Sequence, residues 1–381
     1  MRKIFFYLIL IFVYISPFYA QVQKVKITFE IITPGIDDTA TVYIAGNQPE
    51  LGNWNPGEVK LERINKQLWK KTFEFPKGME LAYKFTKGSW GKEALNDDAT
   101  IPQDKRLKVN NDTLITFTIN NWRDNFNFKV PGQITGSVEY HKNFVMEGLK
   151  PRDIIVWLPP GYDKNVNERY PVLYMHDGQN IVDPRTSSMF VDWQVDETAD
   201  SLIRNNIVEP VIIVGINNTD DRGDEYNNTP LGKLYMKLIV EKIKPFIDSN
   251  YRTKPDRLNT STAGSSMGGL ISFMLAWEYP EIFSKAACFS PAFKIADIDY
   301  VKEVLNYEGK KRNLLFYIDN GGVNLEAMLQ PGVDEMTKVL REKCYKENVD
   351  FYVYIDKEAE HNEAAWAKRM WRPLKLFFGI E

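Results

Sequence analysis

Between Val25 and Ile119 apolar and polar residues alternate in short runs: Val25 to Ile31, Thr41 to Ala45, Leu68 to Phe75, Leu81 to Thr86 and Leu114 to Ile119, separated by Gly, Pro, Asn and Asp. A period of two sends successive side chains to opposite faces, so the pattern predicts half-buried strands and an antiparallel β-sandwich of roughly 100 residues. From about residue 150 the pattern changes. Apolar runs at Asp153 to Leu158, Val172 to Met175 and Val211 to Ile216 alternate with amphipathic stretches such as Val195 to Arg204. Continuous apolar strands joined by helices predict a mostly parallel sheet covered on both faces. In Gly232 to Tyr251, Leu234, Leu238, Ile239, Ile243, Phe246 and Ile247 share one helical face and Lys233, Lys237, Lys242 and Lys244 the other, with a bend expected at Pro245.

The chain of 381 residues divides on this reading into a leader at 1–20, a β-sandwich at 21–120, a linker at 121–135 without apolar period, and an α/β domain at 136–381. Arg2 and Lys3 precede the apolar run Ile4 to Ile15, which Pro17 ends; a span needs about 20 apolar residues, so the run predicts a secretory signal cut after Ala20. The mature chain is expected to be secreted or periplasmic, with no transmembrane segment after signal removal. Lys and Arg number 48 against 51 Asp and Glu, a net −3, which leaves no positive excess for nucleic acid. Only Cys288 and Cys344 are present, so no disulfide framework holds the fold and the cores must.

The informative chemistry is Gly264-Ser265-Ser266-Met267-Gly268, which follows the small and β-branched run Asn259 to Thr262 and precedes the helical stretch Leu270 to Trp277. A G-x-S-x-G between strand and helix is a nucleophile elbow: the turn crowds the residues two positions either side of the serine, and the helix N-terminus stabilises developing negative charge. Of three histidines, His361 fits the base, because it follows the strand Phe351 to Ile355 and precedes a last helix, giving the order serine, acid, histidine. His176, before the serine, is expected to shape the loop after its strand, and His141 to be structural. The strand Leu314 to Ile318 ends in two candidate acids, Asp319 and Glu326, with Asp319 favoured for its place at the carboxyl end of the strand. The backbone amide of Met267 supplies one oxyanion donor, and the His176-Asp177-Gly178-Gln179-Asn180 loop offers Gly178 or Gln179 for the second. Three histidines at no ligand spacing and two cysteines suggest no metal site, and no cofactor is implied.

Together with Val156 to Tyr162, Arg222 with Glu225-Tyr226, and His361-Asn362-Glu363 leading to Trp366, these motifs resemble the esterase D-like esterases of the α/β-hydrolase superfamily, which include enterochelin-esterase-like and feruloyl-esterase-like enzymes. The resemblance covers about residues 133 to 381 and implies Ser266 as nucleophile and His361 as base. It departs at the acid, where relatives often have Gly, two residues, then Asp; here Gly321 leads to Asn324. The N-terminal run Val42 to Gly46, then Leu51-Gly52-Asn53-Trp54 and Tyr83 to Trp90, resembles a family 20 starch-binding module. An indole packs on the flat C–H face of a glucose ring, so Trp54 and Trp90, with Lys84 as a nearby amine donor, would make a sugar platform. Trp69 reads as core. Where relatives continue after the second Trp with an acidic residue and Asn, Gly91 follows Trp90 and Asn96 lies six positions on.

The expected activity is hydrolysis of a carboxylic ester, on a carbohydrate or related small molecule, through an acyl-enzyme. The alternatives are a glycan-binding protein with weak or absent turnover and a siderophore esterase of the enterochelin-like kind. The expected partners are the ester substrate and a poly- or oligosaccharide at the N-terminal domain.

Overall fold

The structure is a computed structural model that describes residues 23–98, 101–102, 104–125, 132–188 and 190–380. The leader expected at 1–20 lies outside these residues. The chain forms two compact units, Met1–Phe126 and Asn127–Glu381. Among the described residues no helix is long and apolar enough to cross a membrane.

The first unit is a β-sandwich of two four-stranded sheets. One orders Glu62–Arg63, Leu68–Pro76, Lys24–Ile32 and Thr113–Thr118; the other orders Val59–Lys60, Tyr43–Gly46, Glu80–Thr86 and Lys105–Lys108. Alternation buries one face of each long strand. Phe29 of the first sheet meets Tyr83 and Phe85 of the second at 4.8 and 6.1 Å between centroids, and Trp69 is buried as expected, its Nε1 donating to Thr33 Oγ1. Two features depart from the sequence reading. Lys24–Ile32 pairs with Thr113–Thr118 in parallel, because the long intervening chain brings the last strand back in the same sense, while the other sheet pairings are antiparallel. The expected linker also starts too early: Asn121–Trp122 pairs with Ala94–Leu95, and Trp122 is buried in the sandwich core.

The second unit is an α/β-hydrolase fold. Its sheet comprises β1 (Ser137–Phe144), β2 (Arg152–Leu158), β3 (Val172–His176), β4 (Ile212–Ile216), β5 (Thr260–Ser265), β6 (Lys285–Phe289), β7 (Leu315–Gly321) and β8 (Phe351–Asp356), in the order β1-β2-β4-β3-β5-β6-β7-β8. Only β2 runs against the rest: it is antiparallel to both of its neighbours, β1 and β4, while the pairings from β4 to β8 are parallel. The principal helices are α1 (Val195–Arg204), α2 (Pro230–Leu238), α3 (Met267–Glu278), α4 (Leu325–Glu342), α5 (Glu363–Ala367) and α6 (Trp371–Phe378). Both faces of the sheet are covered: along β2, Ile154, Val156 and Leu158 join one core while Ile155 and Trp157 join the other. The bend expected at Pro245 is present one turn early. Pro245 lacks an N–H and its ring crowds the carbonyl four residues back, and the helix passes through a π-turn at Ile239–Ile243 before resuming at Lys244–Asn250. Cys288 is buried, Cys344 exposed, and both are free thiols.

Candidate active site

The carboxyl ends of the parallel strands gather the candidate residues along one edge of the sheet, where ligands bind in open α/β folds. Ser266 joins β5 to α3 with φ 57° and ψ −122°, a backbone that a side chain rarely adopts. Its glycine neighbours make the turn sterically possible: a Cβ on Gly264 would sit 2.5 Å from the Gly268 carbonyl oxygen, and one on Gly268 would sit 3.2 Å from Asp177 Oδ2. The half-buried serine is therefore presented by a turn that only small flanking residues permit. Met267 begins α3, so its amide has no acceptor within the helix and faces developing charge at the N-terminus.

His361 lies in the loop between β8 and α5, its ring edge-on to Trp366 at 4.9 Å. Asn362 caps α5 by accepting from the Ala365 amide at 3.0 Å, which fixes the loop on the far side of the histidine. The carboxylate facing it is Glu326, whose Oε1 is 3.3 Å from His361 Nδ1; this is ion-pair distance, with the ring turned off the line of a full hydrogen bond. Glu326 is fully buried and also accepts from Ser290 Oγ at 2.6 Å and from the Gly321 amide at 2.9 Å. Burial alone would raise its carboxyl, but His361, the Ser290 hydroxyl and the Gly321 amide outweigh it and hold Glu326 below the usual carboxylate range.

Asp319, favoured from the sequence, is not brought to His361. It is engaged by Arg369, with Nε to Oδ2 at 2.9 Å and Nη2 to Oδ1 at 3.2 Å, and accepts from Tyr317 Oη at 2.9 Å and the Ser290 amide at 3.2 Å. Burial pushes Asp319 up to about 6 against the pull of Arg369 and Tyr317. Its position at the strand end points it into the packed layer beneath α5 and α6, where it neutralises a buried arginine. One short loop later, Glu326 in the first turn of α4 reaches the histidine.

Ser290 links the two carboxylates. Its φ is 42°, its hydroxyl donates to Glu326 and accepts from Trp366 Nε1 at 3.0 Å and Arg369 Nη2 at 3.2 Å. The same turn is bonded to the elbow: Ser266 N–H donates to the Phe289 carbonyl at 2.9 Å, and Ala292 N–H to the Ser266 carbonyl at 3.0 Å. The candidate nucleophile, acid and base are thus connected through one turn after β6.

The loop after β3 is held for rigidity. Asp177 has φ 57° and binds Arg222 through both oxygens at 2.7 and 2.8 Å, while Asn218 Nδ2 donates to it at 2.6 Å. Burial would raise the Asp177 carboxyl, but Arg222 and Asn218 keep it low and charged. Gly178 and Gln179 open a 3₁₀ turn, whose leading amides have no acceptor within the turn. Gly178 is also a packing requirement, since a Cβ there would sit 2.5 Å from the Gly215 carbonyl carbon of β4. Glu225 forms a buried pair with Arg152 at 2.5 Å, and the Asp177 amide donates to Tyr226 Oη at 3.2 Å. His176 is buried, 2.8 Å from Tyr235 Oη, and burial pushes it down to about 3, so it stays neutral and structural. His141 bonds Tyr251 Oη at 2.5 Å, away from the serine on the outermost strand.

In the first unit Trp54 and Trp90 are half-buried neighbours, 6.4 Å apart between centroids at 42°. Lys84 does not stand as a free amine beside them. Its Nζ is 3.4 Å from Glu93 and 4.0 Å from Asp104, and its side chain lines a separate cavity of about 160 Å³ with Asn96, Asp97 and Phe117. Glu93 is buried and needs cationic partners, which Lys84 and Arg123 supply.

Residues 149–376 match the family described as "Putative esterase", and residues 24–112 match the starch binding domain. The chain belongs to that esterase family. An endo-1,4-beta-xylanase/feruloyl esterase of Xylanibacter ruminicola is 33% identical over 138 residues, 34% of this chain and 18% of that protein. The chain therefore spans less than a fifth of that relative's length. Among solved structures, a ferulic acid esterase superposes with TM-score 0.54 at 20% identity, covering 64% of this chain and 99% of that one. The enterobactin esterase of Shigella flexneri superposes with TM-score 0.53 at 13% identity, covering 92% of each chain. At these identities the likeness is one of fold.

In this esterase fold the sequence reading missed Ser290 and Arg369. Nothing local marks Ser290 except its place directly after the strand Lys285–Phe289, opposite the acid-bearing strand, and its partners lie 36 and 79 positions away. Arg369 had a faint signal: a cation in the turn between α5 and α6, flanked by the buried Trp366 and Met370, which calls for a buried anion.

Proposed function

We propose that this protein is a secreted serine esterase that hydrolyses a carboxylic ester borne on a carbohydrate or related small molecule, through an acyl-enzyme. The observation that carries the reading is the pairing of His361 Nδ1 with the buried Glu326 carboxylate, on the loop that follows β8, in a chain whose Ser266 sits at a strained strand-to-helix turn. With Nδ1 committed to Glu326, Nε2 is left to take the Ser266 proton. Ser266 Oγ attacks the carbonyl carbon while His361 accepts its proton; the oxyanion is met by the Met267 amide and an amide of the Gly178–Gln179 turn. Collapse breaks the C–O bond, and His361 returns the proton to the departing alcohol. Water, deprotonated by His361, then attacks the acyl-Ser266 ester and releases the carboxylic acid and the free serine.

The half-buried Trp54–Trp90 pair and the starch binding domain match support a glycan as what tethers the enzyme or carries its ester. The apolar leader Ile4 to Ile15 supports secretion. Glu326 at ion-pair distance from His361 also counts against the reading without turnover, since it offers the imidazole an orienting carboxylate.

The test is hydrolysis of short-chain p-nitrophenyl esters by the mature protein beside Ser266→Ala. The variant is expected to lose all measurable turnover; retained turnover would remove Ser266 from the chemistry. Trp54→Ala with Trp90→Ala is expected to weaken retention on immobilised starch by about tenfold or more, at ~1–3 kcal/mol per lost stacking platform, with p-nitrophenyl ester turnover unchanged. Retention unchanged in the double variant would reject the platform.

A further inference from the structure

Asp192, Asp196 and Glu197 bring one carboxylate oxygen each within 4.8 Å of one another at the start of α1. Acidic residues in a first helical turn are ordinarily explained by the N-terminal amides, and part of this cluster is. The Thr135 amide donates to Asp196 Oδ2 at 2.6 Å, Gln133 Nε2 donates to Glu197 Oε1 at 3.0 Å, and the Gln194 amide donates to Asp192 Oδ2 at 3.1 Å. The second oxygens of the helix pair are different. Asp196 is fully buried, yet its Oδ1 has no hydrogen-bond partner, and neither has the buried Oε2 of Glu197. A buried carboxylate oxygen left unpaired is costly, and here two of them belong to neighbouring acidic side chains.

We propose that Asp192, Asp196 and Glu197 form a structural site for a hard divalent cation, with Ca²⁺ the ion of choice. All the donors are oxygens, which excludes the soft-metal chemistry that histidine and cysteine spacing would have signalled. Three carboxylates with carboxylate–carboxylate separations of this size suit the larger, geometrically tolerant Ca²⁺ over Mg²⁺, with water completing the shell. The ion would brace the segment between the β3 loop and α1. That segment matters to the reaction: the Trp193 amide donates to the Asn180 carbonyl at 2.9 Å, and the Trp193 ring lies 5.3 Å from Trp366, which packs on His361. Asn180 Nδ2 in turn donates to Glu363 at 3.1 Å, joining the oxyanion loop to the histidine loop.

The test uses the mature chain stripped with EDTA. Thermal unfolding is followed with added CaCl₂ or MgCl₂, and Tb³⁺ emission is excited through tryptophan, with Trp193 adjacent to a ligand. Saturating Ca²⁺ is expected to raise Tm by about 5 °C or more, Mg²⁺ by less, and bound Tb³⁺ to be displaced by Ca²⁺. Asp196→Asn, with Asp192→Asn as the second variant should the first fold poorly, is expected to abolish the Ca²⁺ shift and the Tb³⁺ signal. Ester turnover without Ca²⁺ should stay within about twofold of the stripped wild type. No Ca²⁺ shift and no Tb³⁺ emission in the wild type would overturn the proposal, as would a Ca²⁺ response that survives in a folded variant. Loss of ester turnover in Ser266→Ala is independent of this result, so the two readings fail separately.

Discussion

Asp319 on β7 and Glu326 in the first turn of α4 stand seven residues apart, and both are fully buried, yet their surroundings set them to different tasks. Asp319 is enclosed by Arg369, Tyr317 and the Ser290 amide, all donors that consume its oxygens within the packed layer. Glu326 is held by Ser290 and Gly321 and keeps Oε1 toward His361, at the sheet edge where Ser266 lies. Burial is the same; the partner decides. A carboxylate paired with a permanent cation is structural, whereas one paired with an imidazole can orient a base and stabilise its charged form.

The comparison breaks most severely if Glu326→Gln leaves turnover intact. With the carboxylate gone the imidazole loses its tautomer preference, and kcat for p-nitrophenyl acetate should fall by about 10³–10⁴-fold with far-UV circular dichroism unchanged. Asp319→Asn should do the reverse. It strands the buried Arg369 charge and should cost about 3–5 kcal/mol in chemical denaturation, while kcat per folded molecule stays within about threefold. Ser290→Ala tests the shared hinge: the loss of one charge-assisted hydrogen bond to Glu326 should lower kcat by about tenfold and stability by about 1.5–3 kcal/mol. Turnover unchanged in this variant would mean that Glu326 is positioned without it.

The smallest effect is in the pH dependence of stability, where the two carboxyls have opposite signs. Glu326 is held below its unfolded value near 4.5, so its contribution is present above that pH and is lost as pH falls through the lower, folded value. Asp319 is raised from 3.8 to about 6, so between those values the folded chain holds a proton that the unfolded chain has released. Its contribution therefore declines as pH rises from about 4 to about 6, by at most about 1.4 kcal/mol per pH unit. Denaturation midpoints at pH 4, 5 and 6 should lose that decline in Asp319→Asn and keep it in Glu326→Gln. The same slope in both variants would contradict the assignment of each environment.

What could be read from the chain follows how local each requirement is. The elbow was legible because Gly264, Ser266 and Gly268 carry the whole steric condition within five residues. The two folds were legible because a period of two and the change to βαβ spacing are local patterns. The candidate acid was not, because the choice between Asp319 and Glu326 is made by Arg369, fifty positions after Asp319, and by Ser290 in the turn after the neighbouring strand. Lys84 misled for the same reason. It lies on the strand before Trp90, but Glu93, which returns beside that strand, takes its charge. The end of the sandwich was missed because Trp122 looks like linker composition until Ala94–Leu95 pairs with it.

The account's central claim, that Glu326 and not Asp319 activates the His361–Ser266 pair, is tested most directly by the rate of fluorophosphonate labelling, read by intact and peptide mass spectrometry. The prediction is a single adduct on Ser266 in the wild type, formed at a rate that falls by about 10³-fold in Glu326→Gln and stays within about threefold in folded Asp319→Asn. A slow Asp319→Asn beside a fast Glu326→Gln, or an adduct on any residue other than Ser266, would contradict it.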